Sequence, residues 1–288
     1  MMAELIDRVQ KKYEAAELLR GAQVSPVLMT ALYLFLLLGL DLIDSFQYGG
    51  GGTAGTMISI FVNVLTMLLS VVLAAGFVLY LMAIRRGERA EYLALFDGFS
   101  FVGKLIAVEL LTSLFVTLWS FLFVIPGIIA MYRYRFAKYN LYEDPSIGVL
   151  EAIDMSKRQT YGYKGQLFMM DLSFIGWTIL AMLPTMVMSS IVYSRFTISI
   201  AANAMNMYSL PSIAAYLGIP GFLWVLIQGL WSLVVSLFYL AKFYCVDLSY
   251  FETAKRTSGV GKDARPNQDG WTNNPWDNNM GPDGLGGF

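Results

Sequence analysis

The sequence contains no histidine and a single cysteine, Cys245. Without histidine the chain cannot form a Ser–His or Cys–His nucleophile pair, a histidine proton relay, an HExxH metal site or a histidine-ligated haem. One thiol cannot form an internal disulfide or a thiolate zinc cage, and Cys245 stands in an apolar run that favours a small packed side chain. We therefore predict no enzymatic activity, no catalytic or metal-binding residue and no cofactor.

Charged residues are also scarce. They make up 14% of the chain, against about 25% in ordinary soluble domains, while 57% of the residues are hydrophobic and the mean hydropathy is +0.57. The 20 basic and 21 acidic residues nearly cancel, so the chain lacks the basic character of nucleic-acid-binding proteins. The apolar residues cluster in nearly uncharged runs of about 20, the length that crosses a bilayer. This pattern excludes a soluble globular enzyme and predicts an all-α, polytopic membrane bundle.

Six apolar runs are predicted to cross the membrane as three helical hairpins. They are residues 27–43, 57–84, 101–124, 128–142, 166–193 and 221–250. Pro126 and Gly127 separate the third run from the fourth and predict a turn there. The fourth run differs from the others because it contains Arg133, Arg135 and Lys138. Together these runs form a predicted membrane domain over residues 27–252.

The positions of the basic residues predict the orientation of the chain. If the N-terminus is cytoplasmic, the outer segments are about 44–57, 124–128 and 193–220. Among the 20 basic residues, only Arg195 falls in these outer segments. Since basic residues prefer cytoplasmic segments, we predict that both termini are cytoplasmic.

Short segments on the cytoplasmic side are predicted to be amphipathic helices. In residues 1–26, apolar side chains recur at spacings of three and four, namely Leu5, Ile6, Val9, Tyr13 and Ala16. Such a helix either lies on the inner leaflet or docks on the bundle. Comparable segments precede the third and fifth runs, and the one at 145–157 carries an apolar stripe of Ile147, Leu150 and Ile153.

The C-terminal residues 253–288 differ in composition from the rest of the chain. They are rich in Gly, Asn, Asp and Pro, and such a composition cannot bury enough apolar surface to fold. We predict a disordered cytoplasmic tail.

Several charged residues fall inside the predicted membrane helices. Arg133 lies about 10 Å beyond the Pro126-Gly127 turn, at about 1.5 Å per residue, where a basic side chain costs at least about 2.5–3.5 kcal/mol without a partner. Pairing through the turn places Lys138 beside Ser113, one turn from Glu109. Two charged residues of later runs lie at a similar inner depth. We predict a buried charge cluster of Glu109, Arg133, Arg135, Lys138, Asp171 and Lys242.

The predicted cluster has a functional and a structural interpretation. It would bind an anionic group, such as a lipid phosphate or an exported acid. Alternatively, its ion pairs hold helices together, or the third and fourth runs form a shallow, partly re-entrant hairpin whose charges reach the inner surface. The sequence leaves these interpretations open.

The central part of the chain resembles a bacterial membrane-protein family known as domain of unknown function 975. The matching motifs are IPGII, YRYRFAKY, DPSIGVLEAIDMSK, YGYKGQLF and DLSFIGW, which lie between residues 122 and 177. The resemblance implies a six-helix bundle in the plasma membrane of Gram-positive bacteria. It also implies a relationship to the membrane portion of some glycerophosphodiester phosphodiesterases, although no phosphodiesterase domain is present. The family implies no activity.

The leading functional hypothesis is a non-catalytic accessory or scaffold component that binds a protein partner or lipids at the cytoplasmic face. The alternative is a small transporter or exporter of an anionic or lipid-like substrate, in which Pro126, Pro184 and Pro220 would break helices near a binding site. A third hypothesis, an intramembrane lipid-modifying enzyme, lacks a recognisable catalytic pair. All three hypotheses predict the lipid bilayer as a partner, and none of them predicts binding to nucleic acid.

Overall fold

The computed structural model describes residues 4–46, 53–202 and 221–262, and within these ranges it contains helices and no strand. A 3₁₀ helix, Tyr92–Phe101, leads directly into α4. The α-helices are α1 (Arg8–Arg20), α2 (Pro26–Phe46), α3 (Thr53–Arg86), α4 (Val102–Leu122), α5 (Val124–Tyr134), α6 (Ala137–Glu143), α7 (Val149–Gln159), α8 (Lys164–Leu172), α9 (Ile175–Ala202) and α10 (Gly221–Ser258). The predicted all-α class is confirmed.

Four helical segments of the described chain are long and apolar enough to cross a membrane. They are Pro26–Ile43, Thr56–Arg86, Tyr92–Leu122 and Leu223–Ser258. A fifth is added if α8 and α9, which are bent by 52° relative to each other, count as one span. Large apolar side chains on these segments face outward, for example Phe61 and Phe121, with 69% and 86% of their surface exposed. Lipid covers such surface at no hydrophobic cost, so these segments are suited to a membrane.

The fourth predicted run does not form a continuous helix. It is divided between α5, with 11 residues, and α6, with 7 residues. At about 1.5 Å per residue neither reaches the thickness of the hydrocarbon core, about 30 Å. The prediction of one helix over residues 128–142 was wrong, because backbone groups between α5 and α6 bond to a side chain of α7, as described below.

The chain divides into two compact units. Unit 1 comprises Met1–Ile6, Ala107–Leu167 and Ser249–Phe288, and unit 2 comprises Asp7–Ile106 and Phe168–Leu248. This division cuts across the three consecutive regions predicted from the sequence, 1–26, 27–252 and 253–288.

Aromatic packing holds three long helices together in unit 2. Phe77 of α3 stacks on Tyr33 of α2 with ring centroids 4.8 Å apart, and it meets the edge of Tyr244 of α10 at 5.8 Å. The 3₁₀ helix packs tightly on α3, since a Cβ atom at Gly76 would overlap the backbone of Leu95. Glycine therefore permits this close approach.

Polar contacts dock α1 at the bend between α8 and α9. The Arg8 guanidinium donates to the Met169 carbonyl at 3.2 Å, and the Lys12 ammonium donates to the Ser173 carbonyl at 3.3 Å. Cations are favourable near the carbonyls at a helix C-terminus. Burial lowers the pKa of Lys12 below its ordinary value, and the nearby charge of Arg8 lowers it further.

The predicted apolar face of the N-terminal segment is not formed as expected. α1 begins only at Arg8, so Leu5 and Ile6 precede it, and Val9 and Tyr13 are exposed while Ala15 is buried. In unit 1 the Ile6 N–H donates to the Gln166 side-chain oxygen at 3.0 Å. The docked alternative therefore describes this segment better than a helix lying free on the leaflet.

The apolar face of α7 forms the core of unit 1 with α5 and α6. Ile153 is 1% exposed and packs with Leu141 and Tyr134, and Ile147 packs partly buried against the same cluster. Leu150 is instead 67% exposed. The predicted stripe of Ile147, Leu150 and Ile153 is therefore not one surface, because two of its residues are used for packing within the chain.

The helical part of the chain extends into the predicted tail. α10 continues to Ser258 and is followed by Gly259, whose φ of +65° is typical of the residue that ends a helix. The Val260 carbonyl accepts a hydrogen bond from Gln159 at 3.0 Å. The prediction of disorder was therefore wrong for residues 253–262. Residues 263–288, the glycine run 49–52 and Pro220 lie outside the described residues.

Candidate functional site

The break between α5 and α6 lies at the centre of the predicted charge cluster. Ser156 of α7 donates its hydroxyl to the Arg133 carbonyl at 2.9 Å and accepts from the Phe136 N–H at 3.1 Å. Thr160 donates to the same carbonyl at 3.2 Å. These bonds replace those that a continuous helix would make, so the buried backbone groups remain paired. They also fix the backbone positions of the basic residues Arg133 and Arg135.

A close helical hairpin brings the charged residues of α4 and α5–α6 together. A Cβ atom at Gly127 would lie 2.9 Å from the Ser120 Cα atom, so the two helices could not approach as closely with another residue there. Pro126 stands in the first turn of α5, where its missing N–H costs little. The hairpin places Lys138 in an ion pair with Glu109. Pairing through the turn predicted Lys138 one turn from Glu109, and in the structure it reaches that carboxylate.

The two arginines of the YRYRFAKY motif have different surroundings. The Arg135 guanidinium lies 5.8 Å from the centroid of the Tyr132 ring, a cation–π distance. The Arg133 side chain has no acidic partner among the described residues. Arg133 is instead close enough to Lys164, the first residue of α8, for their like charges to repel. Lys164 was not among the predicted site residues, although the YGYKGQLF motif contains it.

The six predicted site residues do not belong to one compact unit. Glu109, Arg133, Arg135 and Lys138 belong to unit 1, whereas Asp171 and Lys242 belong to unit 2. The Asp171 carbonyl accepts from the Phe174 N–H at 3.0 Å at the α8–α9 bend, and Lys242 is exposed on α10. The structure therefore supports local arrangements within each unit, and one cluster of all six residues stays a prediction.

A buried polar network beside this site was not predicted. The side-chain amides of Asn140 and Gln159 donate to each other at 3.0 and 2.8 Å, and Gln159 also donates to the Val260 carbonyl. Glu143 at the end of α6 pairs with Lys255 of α10. Asn140, an amide within the fourth apolar run, was a detectable signal, whereas Gln159 lies in a polar segment between two runs. The Glu143–Lys255 pair had none, because 112 positions separate the two residues.

The chemistry available at this site is electrostatic. Within residues 4–46, 53–202 and 221–262, no group of three or more His, Cys, Asp or Glu side chains is arranged to hold a metal ion. Arg133, which has no acidic partner in the described part of the chain, and its neighbour Lys164 are suited to an anionic group. Glu109 and Lys138 neutralise each other, as do Glu143 and Lys255. The arrangement can bind an anion and hold helices in place.

The described part of the chain is all-α, and several of its helices are long and apolar enough to cross a membrane. Residues 121–208 match the model of the family described as protein of unknown function (DUF975). The match includes all of α5 to α9, and thus the helix break, Ser156 and Lys164. For this segment it confirms the family that the sequence motifs indicated. No curated protein and no solved structure matches the chain. The relationship to the membrane portion of phosphodiesterases stays a prediction.

Proposed function

We propose that this protein is a non-catalytic accessory or scaffold component of the plasma membrane of Gram-positive bacteria. It binds a protein partner, or lipids, at the cytoplasmic face. The observation that supports this role is the construction of unit 1. Its polar groups are used to lock short helices together, while the outer face of α7 keeps apolar and charged side chains exposed.

The network inside unit 1 makes a rigid platform. Buried hydrogen-bonded groups such as Asn140 and Gln159, which are 2% and 0% exposed, favour one arrangement of the surrounding helices. A preorganised surface loses little conformational entropy when a partner binds. This supports recognition of a partner rather than chemistry on a substrate.

The outer face of α7 is the proposed partner surface. Leu150, Asp154 and Arg158 follow one another at a spacing of four residues, and Asp154 and Arg158 form an exposed ion pair at 2.8 Å. Leu150 is an isolated apolar side chain on this face. An apolar contact with a charged rim is the usual composition of a protein interface.

The scaffold role is tested by crosslinking in native membranes, purification in mild detergent and identification of the bound proteins. We expect a stoichiometric partner that is lost in Leu150→Ser and retained in Leu93→Ser, a matched control because Leu93 is also exposed, in unit 2. Ile153→Ser would be a poor variant, because Ile153 is buried and the change would unfold unit 1. If the partner survived Leu150→Ser, or none was found with the wild-type protein, the scaffold role would be rejected.

We further propose that both termini are cytoplasmic and that α5 and α6 together return the chain to that side, completing six crossings. The placement of basic residues supports this orientation. In a Cys245→Ala background, an impermeant maleimide should label Gln47→Cys in intact cells. It should label Glu17→Cys and Arg158→Cys only after lysis. Labelling of either of the last two in intact cells would reverse the assignment.

A small exporter is the second candidate, favoured by the broken α5–α6 segment and by the 52° bend between α8 and α9. Such discontinuous helices line the sites of many transporters. Arg133, which lacks an acidic partner among the described residues, would bind the anionic substrate. Arg133→Gln should then abolish flux into liposomes at an unchanged melting temperature. Absence of flux with the wild-type protein would reject this candidate.

A further inference from the structure

Unit 2 contains a cavity of about 510 Å³ where α1 ends and α2 begins, beside α10. This volume is in the range of small-molecule sites. Its wall contains two basic side chains, Arg20 and Lys242. It also contains several apolar ones, among them Leu19, Val27, Leu237 and Phe238.

The polar part of this wall has a positive charge that no carboxylate balances. Arg20 comes from the last turn of α1 and Lys242 from α10. None of the residues that line the cavity is acidic. Neither Arg20 nor Lys242 pairs with an acidic side chain within the described part of the chain. Two cations in the wall of one cavity, with no acidic residue in that wall, favour an anionic group.

The two basic residues lie at the expected boundary of the hydrocarbon core. The first apolar span begins at Pro26, shortly after Arg20. Lys242 lies about 31 Å along α10 from Gly221, at about 1.5 Å per residue, which matches the hydrocarbon thickness of about 30 Å. Val27 and Phe238 lie on the hydrocarbon side of these cations and are 59% and 65% exposed.

We propose that this cavity binds an anionic phospholipid, with its phosphate between Arg20 and Lys242 and the start of its acyl chains on Val27, Leu237 and Phe238. A zwitterionic lipid such as phosphatidylcholine has the same phosphate, but its own ammonium offsets that charge and is repelled by the two basic side chains. Free phosphate would leave the apolar wall uncovered. The inference names a site and a lipid class for the lipid-binding form of the accessory role proposed above. It would stand if no protein partner existed, since it requires only that the long apolar helices lie in a membrane.

The test is native mass spectrometry of the full-length protein in detergent, with phosphatidylglycerol, phosphatidylcholine of the same acyl chains, or inorganic phosphate as the probe. Phosphatidylglycerol should bind about thirtyfold more tightly than phosphatidylcholine, which corresponds to about 2 kcal/mol for two basic residues at a membrane surface. Arg20→Gln combined with Lys242→Gln should remove this preference. Lys157→Gln combined with Arg158→Gln, which removes the same charge from α7, should retain it.

The other probes distinguish a lipid from a soluble anion. Phe238→Asn should weaken the binding of phosphatidylglycerol and leave that of inorganic phosphate unchanged. If inorganic phosphate displaced the lipid at equal concentration, the site would be one for a free anion and the proposal would be overturned. Equal binding of the two lipids would also overturn it. If the double variant did not fold, the wild-type preference should still fall as salt rises, because salt screens the two exposed cations, and a salt-independent preference would refute the proposal.

Discussion

The ammonium of Lys255 donates to both carboxylate oxygens of Glu143, at 2.8 Å each. Glu143 ends α6 and Lys255 lies in the last turn of α10. The two side chains are only 9% and 16% exposed, and the Lys262 ammonium donates to the Glu143 carbonyl at 3.2 Å. This contact ties the end of the last helix to the segment that matches the family model.

Glu143→Gln should destabilise the protein by about 3 kcal/mol, because it leaves the ammonium of Lys255 buried without its counter-charge. The melting temperature in detergent measures this loss. Combining Glu143→Gln with Lys255→Met should recover much of it, since the unpaired charge is then removed.

The matched control for this pair is Glu4→Gln, which breaks an ion pair between Glu4 and Arg256 at 3.1 Å. Those side chains are 51% and 67% exposed, so the loss should be below about 1 kcal/mol. Equal losses in Glu143→Gln and Glu4→Gln would contradict the assigned role of the Glu143–Lys255 pair.

Gly127→Ala should open the α4–α5 hairpin, because the new Cβ atom would overlap Ser120. Overpacking of this kind costs about 1–3 kcal/mol, visible as lower expression and a lower melting temperature. Ser120→Gly in the same chain should relieve part of the cost. Gly103→Ala in α4 is the control, since nothing lies within 4 Å of its added Cβ atom. A harmless Gly127→Ala would show that the helices are not so close.

Ser156→Ala should destabilise unit 1 by about 1–2 kcal/mol, because the buried Phe136 N–H loses its acceptor. Thr160 still donates to the Arg133 carbonyl, which keeps the loss at the lower end of the range. Hydrogen exchange of the Phe136 amide should become faster. Ser113→Ala, which removes only an exposed bond within α4, should change the melting temperature little. If exchange at Phe136 stayed the same, Ser156 would not be what holds the helix break.

Lys12 should make stability depend on pH in the alkaline range. Its pKa is lowered by burial and by Arg8, so between the folded-state pKa and the ordinary value the unfolded chain binds more protons. The contribution of Lys12 to stability therefore rises as the pH rises through that interval. As the pH rises, the melting temperature of the wild type should increase relative to that of Lys12→Gln. Arg8→Gln should reduce this dependence on pH. If the difference in melting temperature between the wild type and Lys12→Gln did not vary with pH, the proposed contribution of Lys12 would be refuted.

Hydrophobic clustering was sufficient to predict the helical class and the positions of the long apolar helices, because burial in lipid depends on local composition. A turn after the third run was likewise predicted from Pro126 and Gly127, but the structure places it at Phe123, and Pro126 and Gly127 lie in the first turn of α5. Less of the candidate site could be predicted from the sequence. The Glu109–Lys138 contact followed from counting residues through the turn, whereas the position of Lys164 beside Arg133 and the Asn140–Gln159 pair depend on how separate helices pack.

The sequence by itself determined that the chain is helical with long apolar segments suited to a membrane, that histidine-dependent chemistry and an internal disulfide are excluded, and which family its central segment matches. These properties depend on composition and on runs of neighbouring residues. Only the tertiary structure decided that residues 128–142 break at Phe136, that α7 packs inward through Ile153, and that Lys255 neutralises Glu143. Each of these depends on a side chain that reaches a group far away in the chain, and the free energy of such a contact is not encoded in local periodicity.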